Sequence, residues 1–79
     1  MNDKIKTVQS LNLTGLACPM PILKVSKAAK EMNQGEIFDA LTSDPGALTD
    51  FPAWARTSGN EIIKTETEGD NTRFFIKKN

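Results

Sequence analysis

The sequence predicts an α/β (α+β) fold in which a mixed four-stranded sheet carries two helices on one face. The apolar pattern changes its period in the order βαβαββ, and segments containing glycine or proline separate the elements. A first strand–helix–strand unit favours a parallel strand pair, whereas the last two strands form a hairpin. We expect residues 1–79 to be one domain and the polar residues 1–6 to be frayed.

The first strand is predicted in residues 7–13, where apolar and polar side chains alternate. Gly15 ends this pattern, and a helical period begins at Pro19. The apolar residues at helical spacing are Ile22, Val25, Ala29 and Met32. Residues 33–35 then stop the helix, with Gly35 as its left-handed C-terminal residue.

A second strand is predicted in residues 36–42, followed by a second helix that ends at Gly59. Asp44 stands directly before a proline, a pattern typical of a helix N-cap. Pro52 interrupts the helical period, so two interpretations remain open. The segment is either one kinked helix or a turn followed by a short helix that begins near Asp50.

The closing hairpin is predicted in residues 61–68 and 72–78, because two strand-like runs are joined by Gly-Asp-Asn. Asp39 lies in the middle of the second strand, where an ionised side chain is unfavourable in a core. It indicates that one face of the sheet meets solvent, as expected when both helices cover the other face.

Composition excludes several classes of function. Ten basic and ten acidic residues cancel, so we expect no direct nucleic-acid binding. The chain has no histidine, which removes Cys–His dyads, Ser–His–Asp triads and histidine metal sites; we expect no metal and no cofactor. One cysteine forms no internal disulfide, and no apolar run is long enough to span a membrane. We therefore expect a cytoplasmic protein that does not bind membranes.

The single cysteine, Cys18, stands at the predicted start of the first helix, in the sequence Cys-Pro-Met-Pro. Pro19 suits the first helical position and Pro21 the first turn, because backbone donors are free there. A thiol at a helix N-terminus has a lowered pKa, so we predict a reactive thiolate. The alternative is a small buried hydrophobe.

The stretch around Cys18 resembles the signature of the TusA (SirA-like) family of sulfur-carrier proteins. The family pattern Gly-x-x-Cys-Pro-x-Pro stands here as Gly15, Cys18, Pro19 and Pro21 at the same spacing. A second family mark is Asp-Pro followed by Asp-x-Pro, found here at residues 44–45 and 50–52. The resemblance covers residues 8–78.

The resemblance implies a two-layer sandwich and a sulfurtransferase-like carrier that holds sulfur as a persulfide on Cys18. It also implies a cysteine desulfurase or another sulfurtransferase as donor. The acceptor would be a protein serving tRNA thiolation, molybdenum-cofactor synthesis or sulfur oxidation. We expect a monomer whose partners dock around Met20, where many tRNA-linked family members have glutamate, and around Lys24 and Lys27. Asp44 either caps a helix or shapes the site.

The sequence is also compatible with two other functions. The protein could be a non-catalytic interaction or regulatory module with a structural Cys18. It could also be a thiol redox protein, which would form its disulfide with a partner because no second cysteine is present. Trp54 either anchors a partner or packs in the core.

Overall fold

The computed structural model describes residues 6–79; of the segment predicted to be frayed, residues 1–5 lie outside the described part. The predicted order βαβαββ is confirmed. The strands are β1 (Gln9–Leu13), β2 (Ile37–Thr42), β3 (Glu61–Glu68) and β4 (Asn71–Lys77), and the helices are α1 (Met20–Lys30) and α2 (Ala47–Ser58). Within residues 6–79, no helix is long and apolar enough to cross a membrane.

The four strands form one mixed sheet in the order β1-β2-β4-β3. β1 and β2 are parallel, and β4 is antiparallel to both of its neighbours, β2 and β3. Since β1 and β2 run in the same direction, α1 and α2 both begin at the same edge of the sheet. The loops that precede the two helices therefore lie side by side.

The core lies between one face of the sheet and the two helices, as predicted. Phe38 of β2, Ile76 of β4 and Val25 of α1 are fully buried and belong to one core cluster. Phe51 of α2 is also fully buried, and its ring stacks on Phe74 of β4 with centroids 4.4 Å apart. Both helices thus share one hydrophobic core with the sheet, which holds their N-terminal ends in place.

The opposite face of the sheet carries a polar network around Asp39. The Asp39 carboxylate accepts a hydrogen bond from the Ser10 hydroxyl at 2.6 Å and pairs with the Arg73 guanidinium. Arg73 also pairs with Glu68 at 2.7 Å, and this hydrogen bond lowers the pKa of Glu68. Asp39 is only 3% exposed, although its face is not covered by helices. Its charge is tolerated because the network satisfies it.

Two helix ends differ from the prediction. α1 ends at Lys30, short of the predicted Met32, although Gly35 has the left-handed φ of 90° expected for it. α2 begins with Gly46 as its N-cap and has no side-chain cap, so the prediction that Asp44 caps this helix is wrong. The helix runs through Pro52 without a break, which supports the first of the two interpretations.

Candidate functional site

Cys18 lies in the loop between β1 and α1, exposed to solvent, and two hydrogen bonds tie this loop to the one after β2. The Gly15 N–H donates to the Ser43 hydroxyl at 2.8 Å, and the Cys18 N–H donates to Asp44 Oδ2 at 3.1 Å. Asp44 is used in this tie and not in a helix cap. Gly15 has a φ of 84°, a left-handed conformation that favours glycine.

The two prolines lie where α1 begins. Pro19 is the N-cap, one position before its predicted place, and Pro21 is the second helical residue. Pro21 is buried and so fixes the first turn against the core. Cys18 is therefore next to the N-cap, as predicted, with its side chain outside the helix.

The predicted lowering of the Cys18 pKa is wrong for this structure. The pKa is raised, first by a hydrogen bond with the Asp50 carboxylate, then by desolvation and by the charges of Asp50 and Asp44. The start of α1 does little to stabilise a thiolate against these effects, because Pro19 and Pro21 have no N–H group to donate. The N–H of Met20 is already donated to the Ala17 carbonyl at 2.9 Å.

An apolar cleft of about 380 Å³ opens beside the thiol, between α1 and α2; we call it the Cys18 cleft. Its lining residues are Cys18, Pro19, Ile22, Asp50, Ala53, Trp54 and Thr57. Trp54 is half-buried: it packs against the core and also forms part of this wall, so both interpretations of Trp54 retain support. A partner residue that enters the cleft reaches the sulfur and an aromatic surface together.

The residues predicted for docking lie on other sides of α1. Met20 is 40% exposed, and Leu23, which the sequence analysis did not select, is 54% exposed. Lys24 and Lys27 line a separate groove of about 220 Å³ beside β1, together with Glu31 and other residues. The structure thus brings Cys18, Pro19 and Asp44 together but places the two lysines outside the Cys18 cleft.

Asp50 and Ile22 line the cleft, although neither was predicted from the sequence as a site residue. Helical spacing carried a usable signal for α2, since Asp50 and Trp54 are four residues apart and share one side of that helix. The spacing within α2 does not show where α1 packs against it. Only the packing of the two helices shows that this side of α2 faces the thiol.

Known proteins resemble this chain in sequence and in fold. The family model for "Sulfurtransferase TusA" matches residues 9–78. The sulfur carrier protein TusA of Allochromatium vinosum is 40% identical over 70 residues, which cover 89% of this chain and 92% of that protein. The solved structure of a SirA-like protein from Desulfitobacterium hafniense aligns with a TM-score of 0.78 over 89% of this chain and 96% of that chain. The two sequences are 18% identical, so the likeness shows that the two proteins share a fold.

Some relatives are longer than this chain. YrkF of Bacillus subtilis is 40% identical over 74 residues, which cover 94% of this chain but 40% of YrkF. A protein of Aquifex aeolicus is 36% identical over 76 residues, which cover 96% of this chain and 39% of that protein. The chain therefore spans about two fifths of these two relatives.

Proposed function

Because the chain belongs to the TusA family, we propose that it is a sulfur carrier that accepts sulfane sulfur as a persulfide on Cys18 and passes it to an acceptor protein. The observation that carries this proposal is the exposed thiol of Cys18 at the mouth of the Cys18 cleft, within the family motif. Exposure also argues against the buried structural cysteine.

The chemistry needs one nucleophile and no redox agent. The Cys18 thiolate attacks the terminal sulfur of a donor persulfide, R–S–SH, and the S–S bond of the donor breaks. The products are a persulfide on Cys18 and the donor thiolate, which takes up the proton that Cys18 lost. The second transfer repeats this exchange towards the acceptor. Neither step needs histidine, which the chain lacks.

The partners follow from this chemistry. The donor is a protein that carries a persulfide, namely a cysteine desulfurase or another sulfurtransferase. The acceptor serves tRNA thiolation, molybdenum-cofactor synthesis or sulfur oxidation. We place the carrier, as a monomer, in the cytoplasm, because a free exposed thiol suits a reducing compartment.

Incubation with a cysteine desulfurase and cysteine is expected to raise the intact mass of the protein by one sulfur atom. Dithiothreitol should remove that mass, because a persulfide is reducible. The same spectra separate the alternatives. A lasting disulfide with the donor would indicate a redox protein, and no adduct with any of several donors would indicate an interaction module.

We further propose that Met20, Lys24 and Lys27 belong to the docking surface for these partners. Met20 follows Pro19 directly and exposes an apolar side chain. The two lysines lie farther along α1, exposed to solvent. Since the whole molecule has no net charge, electrostatic steering would come from local groups such as these.

The double reversal Lys24→Glu with Lys27→Glu is expected to slow sulfur transfer between proteins, by about twofold to tenfold at low salt. Alkylation of Cys18 by iodoacetamide should change far less. The matched control is Arg56→Glu with Lys77→Glu, which changes the net charge by the same amount. These two residues line neither the Cys18 cleft nor the groove beside β1. Equal transfer rates for the two double variants at low salt would remove the lysines from the docking surface.

A further inference from the structure

Two carboxylates from the region where α2 begins lie close to the Cys18 thiol. A Cβ placed on Gly46 would be 3.2 Å from Asp44 Oδ2 and 3.7 Å from Asp50 Oδ2, so both carboxylates flank the same point of the backbone. Asp44 accepts the Cys18 N–H, and Asp50 lines the Cys18 cleft together with the thiol. Within residues 6–79, neither carboxylate forms an ion pair with a lysine or arginine.

The Cys18 cleft combines this negative charge with an apolar wall. Asp50 is the one charged side chain among its described lining residues, and Ile22, Ala53 and Trp54 form most of the rest. A lysine or arginine fits such a surface, because its aliphatic stem packs on apolar groups while its head pairs with a carboxylate. The indole of Trp54 offers the same cation an aromatic surface.

We propose that the Cys18 cleft receives a lysine or arginine side chain of the sulfur donor, which pairs with Asp50 beside the Cys18 thiol when the donor docks. Asp50 is then a positioning residue: it lies in the cleft beside the thiol in the free carrier and recognises a cation in the complex. This inference rests on the proposed function and names the chemistry of the partner.

The sequence of events follows from the contacts. In the free protein the Asp50 hydrogen bond and the two carboxylate charges raise the Cys18 pKa, so less thiolate is present at neutral pH. A cation paired with Asp50 competes for that carboxylate and offsets its charge. The thiol proton then leaves to water at the open mouth of the cleft, and the thiolate attacks the donor persulfide. The donor thiolate released by this step takes up a proton, so protons and electrons balance.

The test uses small disulfides and needs no donor protein. Cys18 is allowed to exchange at low salt with cystamine, which carries two ammonium groups, and with 2-hydroxyethyl disulfide, which is neutral. The wild-type protein is expected to favour cystamine by about twofold to fivefold relative to Asp50→Asn, as for an exposed ion pair. The control Glu61→Gln removes a carboxylate at the opposite end of the sheet and should keep the wild-type preference.

A second measurement is the pH dependence of iodoacetamide alkylation. Its midpoint should be lower in Asp50→Asn than in the wild type, and Asp44→Asn should give a smaller shift, since Asp50 is the larger cause. An Asp50→Asn variant with an unchanged cystamine preference, or with an unchanged midpoint, overturns the inference. The failure of the proposed function looks different: the cystamine preference depends on Asp50, yet no donor loads sulfur onto Cys18.

Discussion

Cys18→Ser is expected to abolish sulfur loading completely and to leave the fold intact. A hydroxyl cannot form a persulfide, and the chain has no second thiol to take over. The fold should survive because the Cys18 side chain is exposed and lies outside the core of the molecule. Intact mass after incubation with donor and cysteine measures the first effect, and thermal unfolding measures the second.

A matched control keeps the number of thiols constant. Ser58→Cys in the Cys18→Ser background moves the thiol to the last residue of α2, which is not among the residues that line the Cys18 cleft. This variant should react with iodoacetamide but receive no sulfur from a donor protein. Sulfur loading of the relocated thiol would show that loading follows exposure alone, and a large loss of thermal stability in Cys18→Ser would point back to a structural cysteine.

Phe51→Ala is expected to reduce the free energy of unfolding by about 3–5 kcal/mol, the range for a buried phenylalanine. Phe51 is fully buried and stacks on Phe74, so its removal leaves a cavity between α2 and the sheet. Domains of this kind have a total stability of about 5–15 kcal/mol. The variant should therefore lose a large share of its stability and unfold at a clearly lower urea concentration than the wild type.

Urea unfolding gives the measurement, and Leu48→Ala is the control. Leu48 lies on the same helix but is 56% exposed, so its truncation should change the free energy of unfolding by only about 0.5 kcal/mol. Similar losses in both variants would contradict the placement of the core on the Phe51 side of α2. The comparison also bears on the Cys18 cleft, because Asp50 and Trp54 depend on the same helix for their positions.

The order of elements and the place of Cys18 could be predicted from local patterns. Alternation in β1 and helical spacing after Pro19 are properties of neighbouring residues, and they specify which segments form strands and helices. Gly59 shows the same principle, since its left-handed φ of 81° ends α2 at the predicted position. The parallel pairing of β1 and β2 was predicted from the strand–helix–strand order of the first three elements, which favours a parallel pair.

The assignment of Asp44 shows where such patterns fail. In sequence, Asp44 before a proline is typical of a helix cap, because the competing partner is 26 residues away and invisible to a local rule. In the folded chain the Cys18 N–H donates its hydrogen bond to Asp44, and Gly46 is the N-cap of α2 without a side-chain hydrogen bond. An aspartate side chain is short, so its carboxylate accepts a hydrogen bond from the donor that the tertiary structure brings nearest.

The electrostatics of the thiol depend on the tertiary structure even more directly. In the sequence, the position of Cys18 at a helix N-terminus predicted a lowered pKa for its thiol. Nothing in the sequence indicated that Asp50 lies near that thiol. Packing of α1 beside α2 brings that carboxylate into the same cleft, and the pKa is raised. The secondary structure and the position of the reactive cysteine can be predicted from short stretches of sequence, because neighbouring residues determine the local backbone geometry. The charge around the sulfur is set by which elements pack together, because Coulomb interactions depend on distance in space and not along the chain.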